Sequence, residues 1–120
     1  MTTGPSVHVH ASGMSLTVRI GGEMVWQTAP FFRERLAVEI TAARRRVVLD
    51  LSAVSFCDSA GLNELLWAWR LADQAGSVLV LACVPAKVQR MLARTGVGTF
   101  LRVYDTVGEA ENALVARGGA

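Results

Sequence analysis

VVLDLSAVSFCDSAGL, residues Val47 to Leu62, opens as a strand and ends as a helix. Val47 to Leu51 is a short apolar run rich in β-branched residues, a pattern that suits a strand covered on both faces in a mixed or parallel sheet. Ser52 to Asp58 carry too many small and polar residues for that strand to continue cleanly, so a connection is expected there. Leu62, Leu65, Leu66, Trp69 and Ala72 then recur at helical spacing, and Gly76 is a natural residue on which to end the helix. Asp58 and Ser59 therefore fall at the helix N-terminus. A hydroxyl there commonly caps the free amides of the first turn. Asp58 can do that task, and neither residue is followed three positions later by the Glu or Gln of a capping box. Ala60 and Gly61 put almost no side chain around Ser59. An exposed Ser59, open to a large visitor such as another protein's active site, is the expectation.

Phe56-Cys57-Asp58-Ser59-Ala60-Gly61-Leu62, preceded by a hydrophobic strand and a Leu-Ser-x-Val-Ser connection, resembles the signature of STAS domains, the small anti-sigma-factor antagonists of bacteria. Gly22-Glu23-Met24 after an early strand, Thr28-Ala29 opening a helix and Pro85 opening a later one also fall where that family has them, so the resemblance covers nearly the whole chain. It implies that Ser59 is the serine phosphorylated by a partner kinase. Two positions depart from the family pattern. Ala60 stands where many members have a second Ser, and Val25 stands where an Asp often follows Gly-Glu-x, in the loop that the family places beside the phosphorylation site.

Composition bounds the alternatives. The 120 residues suit one domain with one core and no disulfide or metal support, with 1–5 and 117–120 as flexible ends. A hydrophobic fraction of 52%, charged residues at 18% and a mean hydropathy of +0.36 lie on the apolar side for a soluble protein, which hints at an apolar surface kept for a partner. The N-terminal MTTGPSVHVH lacks a basic region followed by an apolar stretch, and Val78 to Val84 is far too short to span a membrane. A cytoplasmic protein with no direct membrane insertion is expected. Cys57 and Cys83 form no CxxC and are read as buried thiols, with no metal or other cofactor. The net charge is only +2, and the basic residues form no face with interleaved aromatics, which argues against nucleic acid. The cluster Arg44-Arg45-Arg46 is read as a helix end, where cations suit the negative pole of the dipole.

Ser6 to Ala11 alternates as a half-buried edge strand, with His8 and His10 on the face opposite Val7, Val9 and Ala11. Gly13 turns it into a second strand, Ser15 to Gly21, which Gly21-Gly22 ends. Thr28-Ala29-Pro30 starts a helix that runs to about Ala43 through Phe32, Leu36 and Ile40. After the Ser59 helix, Ser77 to Cys83 reads as a buried strand and Pro85 to Arg94 as a helix with Val88, Met91 and Leu92 inward and Gly96 at its end. Gly96-Val97-Gly98 is a turn, since it follows a helix where a dinucleotide loop would precede one. Phe100 to Tyr104 reads as the last strand, and Thr106-Val107-Gly108-Glu109 as a capping box for a final helix to about Ala116. The order implies an α/β domain, STAS-like, with a mixed, mainly parallel sheet of about five strands, an N-terminal hairpin and about four helices.

Three functions compete. The first is an anti-sigma-factor antagonist: a binding module that sequesters an anti-sigma factor kinase, frees a sigma factor and is inactivated by phosphorylation at Ser59. A serine phosphatase would complete the cycle. The second keeps the fold without the switch, as a non-phosphorylated STAS subunit of a membrane transport system. The third is a hydrolase using Ser59 or Cys57, but the only histidines lie on the N-terminal strand with no orienting carboxylate, and no G-x-S-x-G elbow exists. A non-enzymatic module is therefore expected. On a helical wheel Ala60, Glu64, Trp67 and Leu71 lie opposite the core stripe. With Asp58, Ser59, Gly61 and Asn63, and with Glu23, Val25 and Trp26 from the adjoining loop, they make the expected docking surface, anchored by Trp67. A second copy of the chain is the other occupant such an apolar stripe would suit.

Overall fold

The computed structural model describes residues 4–12, 15–42 and 46–118. Among these residues five strands, β1 (Ser6–Ser12), β2 (Ser15–Met24), β3 (Arg46–Cys57), β4 (Val78–Ala82) and β5 (Val103–Tyr104), lie side by side in chain order. β1 pairs antiparallel with β2, and every later pair is parallel. The parallel pairs are joined by crossovers containing helices α1 (Ala29–Ala42), α2 (Ser59–Gln74) and α3 (Ala86–Thr95), with α4 (Val107–Gly118) closing the chain.

Val47 to Leu51 is buried throughout because both faces of β3 are covered. Val47, Leu49 and Leu51 join Phe32, Leu36 and Ile40 of α1, Leu62, Leu65, Ala68 and Ala72 of α2, and Val88 and Leu92 of α3 in the main core. Val48 points the other way and packs with Val80, Ala82, Ala110 and Leu114 in a smaller cluster under α4. Alternation along a strand with helices on both sides accounts for the apolar run at the centre of the sequence.

Several boundaries differ from the sequence reading. β3 does not end at Leu51 but runs to Cys57, and β2 does not end at Gly21-Gly22 but runs to Met24. The two extensions pair with each other, Met24 opposite Cys57, across two register shifts that place extra residues on β3. Beyond Asp50 the strand has no β4 partner, so Ser52, Ala53 and Ser55 are solvent-exposed and need not be apolar. β5 is only Val103–Tyr104, because Val97–Thr99 winds into a short 3₁₀ turn that drops Leu101 into the core. Arg46 begins β3 and does not end α1, while Arg44, Arg45 and the expected turn at Gly13 lie outside the described residues. Cys57 is buried, whereas Cys83, at the end of β4, is half-buried and not the fully buried thiol expected. Gly76 and Gly96 follow α2 and α3 with φ of 79° and 75°, the left-handed geometry that ends a helix most cheaply with glycine.

Candidate functional site

The C-terminal ends of β2 and β3 bring the loop before α1 against the start of α2. The amide of Asp58 donates to the carbonyl of Met24 at 3.1 Å, fastening the two connections together. Asp58 has the extended backbone of an N-cap, and its Oδ1 accepts the Gly61 amide at 3.0 Å. Ser59 is therefore the first residue of α2, exposed, and its hydroxyl makes no hydrogen bond to the described residues. The Leu62 amide is taken by the Asp58 carbonyl, so the amides of Ser59 and Ala60 are the first-turn donors left for solvent or an anion. Gly61 is buried here for a steric reason. A Cβ on it would lie 2.1 Å from the Met24 carbonyl oxygen.

Thr28, the residue before α1, turns its side chain backwards. Its hydroxyl accepts the Val25 amide at 3.0 Å and donates to the Glu23 carbonyl at 2.7 Å, which fixes the loop carrying Glu23, Val25 and Trp26. Trp26, 71% exposed, stands at the rim of an open depression of about 600 Å³ whose wall includes Pro30, Arg33 and Glu64.

The wheel of α2 requires correction. Glu64 does not face water. It is buried and forms a two-pronged ion pair with Arg33 of α1, Nε to Oε1 at 2.9 Å and Nη2 to Oε2 at 3.1 Å. The same guanidinium sits 4.4 Å from the ring centre of Trp67. Trp67 and Leu71 are half-buried and packed on the main core, so the expected apolar stripe is largely roofed by the domain itself. Leu66 and Trp69, placed in the core stripe, are likewise only half-buried, while Ala68 is fully buried. Asn63 is exposed beside Ser59 and its neighbours on the first turn. Arg33 is the residue that sequence reasoning misses, since nothing beside it in the chain distinguishes it from Arg35. Arg33→Ala should leave the Glu64 carboxylate unpaired and uncover Trp67, lowering stability by about 2 kcal/mol; the half-exposed guanidinium keeps the cost below that of a fully buried pair. Urea denaturation measures it, and a variant as stable as the parent would show the pair to be idle.

Burial, with the Asp58 charge as the lesser cause, pushes the Cys57 thiol up to about 11. It is a neutral thiol at physiological pH and lacks the thiolate a nucleophile needs. Both histidines lie exposed on β1, with β2 between them and β3. Because the folded value lies above that of an unfolded thiol, the stabilisation is complete below about pH 9 and is lost as the pH rises towards 11. Between pH 8 and 10.5 the parent should therefore lose roughly 1 to 2 kcal/mol more than Cys57→Ala does in paired urea titrations. Equal losses would contradict the assignment.

With the geometry in place, the chain is matched by the STAS domain model over residues 6–110, and it belongs to that family. It is 30% identical over 91 residues to the anti-sigma F factor antagonist of Paenibacillus polymyxa, an overlap covering 75% of this chain and 78% of that one. Its fold is similar to the crystal structure of an anti-sigma factor antagonist from Mycobacterium paratuberculosis, with a TM-score of 0.80, 24% identity and coverage of 95% and 97% of the two chains. It is also similar to the Bacillus cell fate determinant SpoIIAA in its phosphorylated form, with a TM-score of 0.69, 17% identity and coverage of 91% and 99%. No described helix is long and apolar enough to cross a membrane.

Proposed function

We propose that this chain is an anti-sigma-factor antagonist whose docking on an anti-sigma factor kinase is switched off by phosphate on Ser59. The observation that carries the reading is that Asp58, and not Ser59, caps α2, which leaves an exposed hydroxyl on a fixed first turn. Phosphate there adds roughly −1.5 to −2 charges and three acceptor oxygens within reach of the free amides of a helix N-terminus. The fold tolerates that charge, whereas a partner surface pressed onto it must desolvate it. The relatives named as anti-sigma factor antagonists and the phosphorylated SpoIIAA structure support the same reading. The docking surface comprises the first turn of α2 with Asn63 and the Thr28-braced loop with Trp26; Trp67 and Glu64 contribute by holding α2 against α1. A serine phosphatase would restore the docking form.

Incubation with ATP and the anti-sigma kinase, followed by intact mass and fragment localisation, tests the assignment. One added phosphate on Ser59, absent from Ser59→Ala, is expected. Phosphate on another residue, or none, would remove the switch and leave the non-phosphorylated reading.

A further inference from the structure

β3 carries a free edge that its neighbours do not use. Arg46 to Asp50 are paired with β2 on one side and β4 on the other, but among the described residues Leu51 to Cys57 have a strand on the β2 side only, and of their amides that of Ser52 is already taken by Asp50 Oδ1 at 2.9 Å. The chain leaves β4 at Ala82 and begins α3 at Ala86, so α3 stands across a gap from the unpaired length of β3. That gap is a groove of about 270 Å³ with Val54 and Phe56 on the strand side and Pro85, Lys87, Val88 and Arg90 on the helix side. Its floor is apolar, with Val54 and Val88 buried, while Phe56 is 51% exposed at the lip. Lys87 and Arg90 are exposed, and no carboxylate is among the lining residues. The groove starts at Cys57, two residues before Ser59.

A strand edge facing a helix across an apolar trough accommodates an extended peptide, which takes main-chain hydrogen bonds from the edge and places alternate side chains in the trough. The two cations on an otherwise uncharged wall select the sign of the partner. We infer that an extended, acidic segment of the docking partner, with carboxylates alternating with apolar residues, adds to the free edge of β3 between that strand and α3. This rests on reading the Ser59 end as the docking end, but not on the phosphate. Main-chain pairing supplies affinity, Phe56 and Pro85 receive the apolar side chains above the buried Val54 and Val88, and Lys87 and Arg90 meet the carboxylates.

The test uses the unmodified full chain and two fluorescein-labelled synthetic peptides, one alternating Glu with Leu and the other Lys with Leu. The acidic peptide should bind, with affinity falling as salt is raised, and should slow amide hydrogen exchange within Leu51 to Cys57. The basic peptide, and the acidic peptide on a Lys87→Glu/Arg90→Glu variant with unchanged melting, should each bind at least about tenfold more weakly. Absence of acidic-peptide binding, equal binding of both peptides, or binding without slowed exchange on β3 would overturn the inference. Partner docking that still responds to Ser59 phosphorylation would then leave the switch standing. Conversely, peptide binding in a protein whose partner ignores that phosphate would retain the groove and remove the switch.

Discussion

Gly61→Ala should lower stability by about 2 kcal/mol or more, even though alanine favours a helix over glycine by nearly 1 kcal/mol. The added Cβ would lie 2.1 Å from the carbonyl oxygen of Met24 and 2.8 Å from its carbonyl carbon, both far inside contact distance. The obstacle is backbone, and Met24 is fully buried at the paired end of β2, so it cannot swing away as a flexible side chain would. Relief requires the first turn of α2 to back off from β2, which loosens the 3.1 Å bond from Asp58 to Met24 and moves Ser59 with it. The melting midpoint should fall by several degrees, since about 4 °C per kcal/mol is typical of a domain this size. Partner affinity should fall together with it. A Gly61→Ala protein melting with the parent would mean that the close approach of α2 to β2 is not maintained in solution.

Ser59→Asp should separate charge from stability. The substitution places one negative charge at the first position of α2, where the helix dipole favours it by several tenths of a kcal/mol and the nearby Asp58 opposes it. These nearly offset, so the melting curve should stay close to that of the parent. Affinity for the anti-sigma kinase should drop about tenfold, less than for the phosphoprotein, because a carboxylate carries about half the charge and fewer acceptor oxygens. Equal affinity of parent and Ser59→Asp would leave the electrostatic basis of the switch without support.

Val47 to Leu51 and the spacing of Leu62, Leu65 and Ala72 were legible because each segment faces a core with the period its element imposes. The same holds for Asp58, whose capping role follows from its place before a helix, and hence for the exposure of Ser59. The upper half of β3 was illegible for the converse reason. Ser52, Ala53 and Ser55 are exposed, so nothing selects the apolar residues by which a strand is recognised, and only pairing with β2 keeps that segment extended. Glu64 was misplaced because a lone carboxylate on a helix reads as solvated. Its partner Arg33 lies 31 residues earlier, and only the packing of α1 on α2 brings the two together. The groove beside α3 is likewise a property of topology, since Phe56 and Lys87 lie on separate elements flanking a gap that β4 is too short to fill.

Phosphate on the single hydroxyl of Ser59 is what decides docking. The direct measurement is calorimetric titration of the anti-sigma kinase, with a non-hydrolysable ATP analogue present, by three forms of the full chain: unmodified, Ser59→Ala and stoichiometrically phosphorylated on Ser59. The unmodified and Ser59→Ala proteins should bind with the same affinity within a few-fold, and the phosphoprotein at least about a hundredfold more weakly while melting at the same temperature. Binding of the phosphoprotein as tight as that of Ser59→Ala would contradict the account.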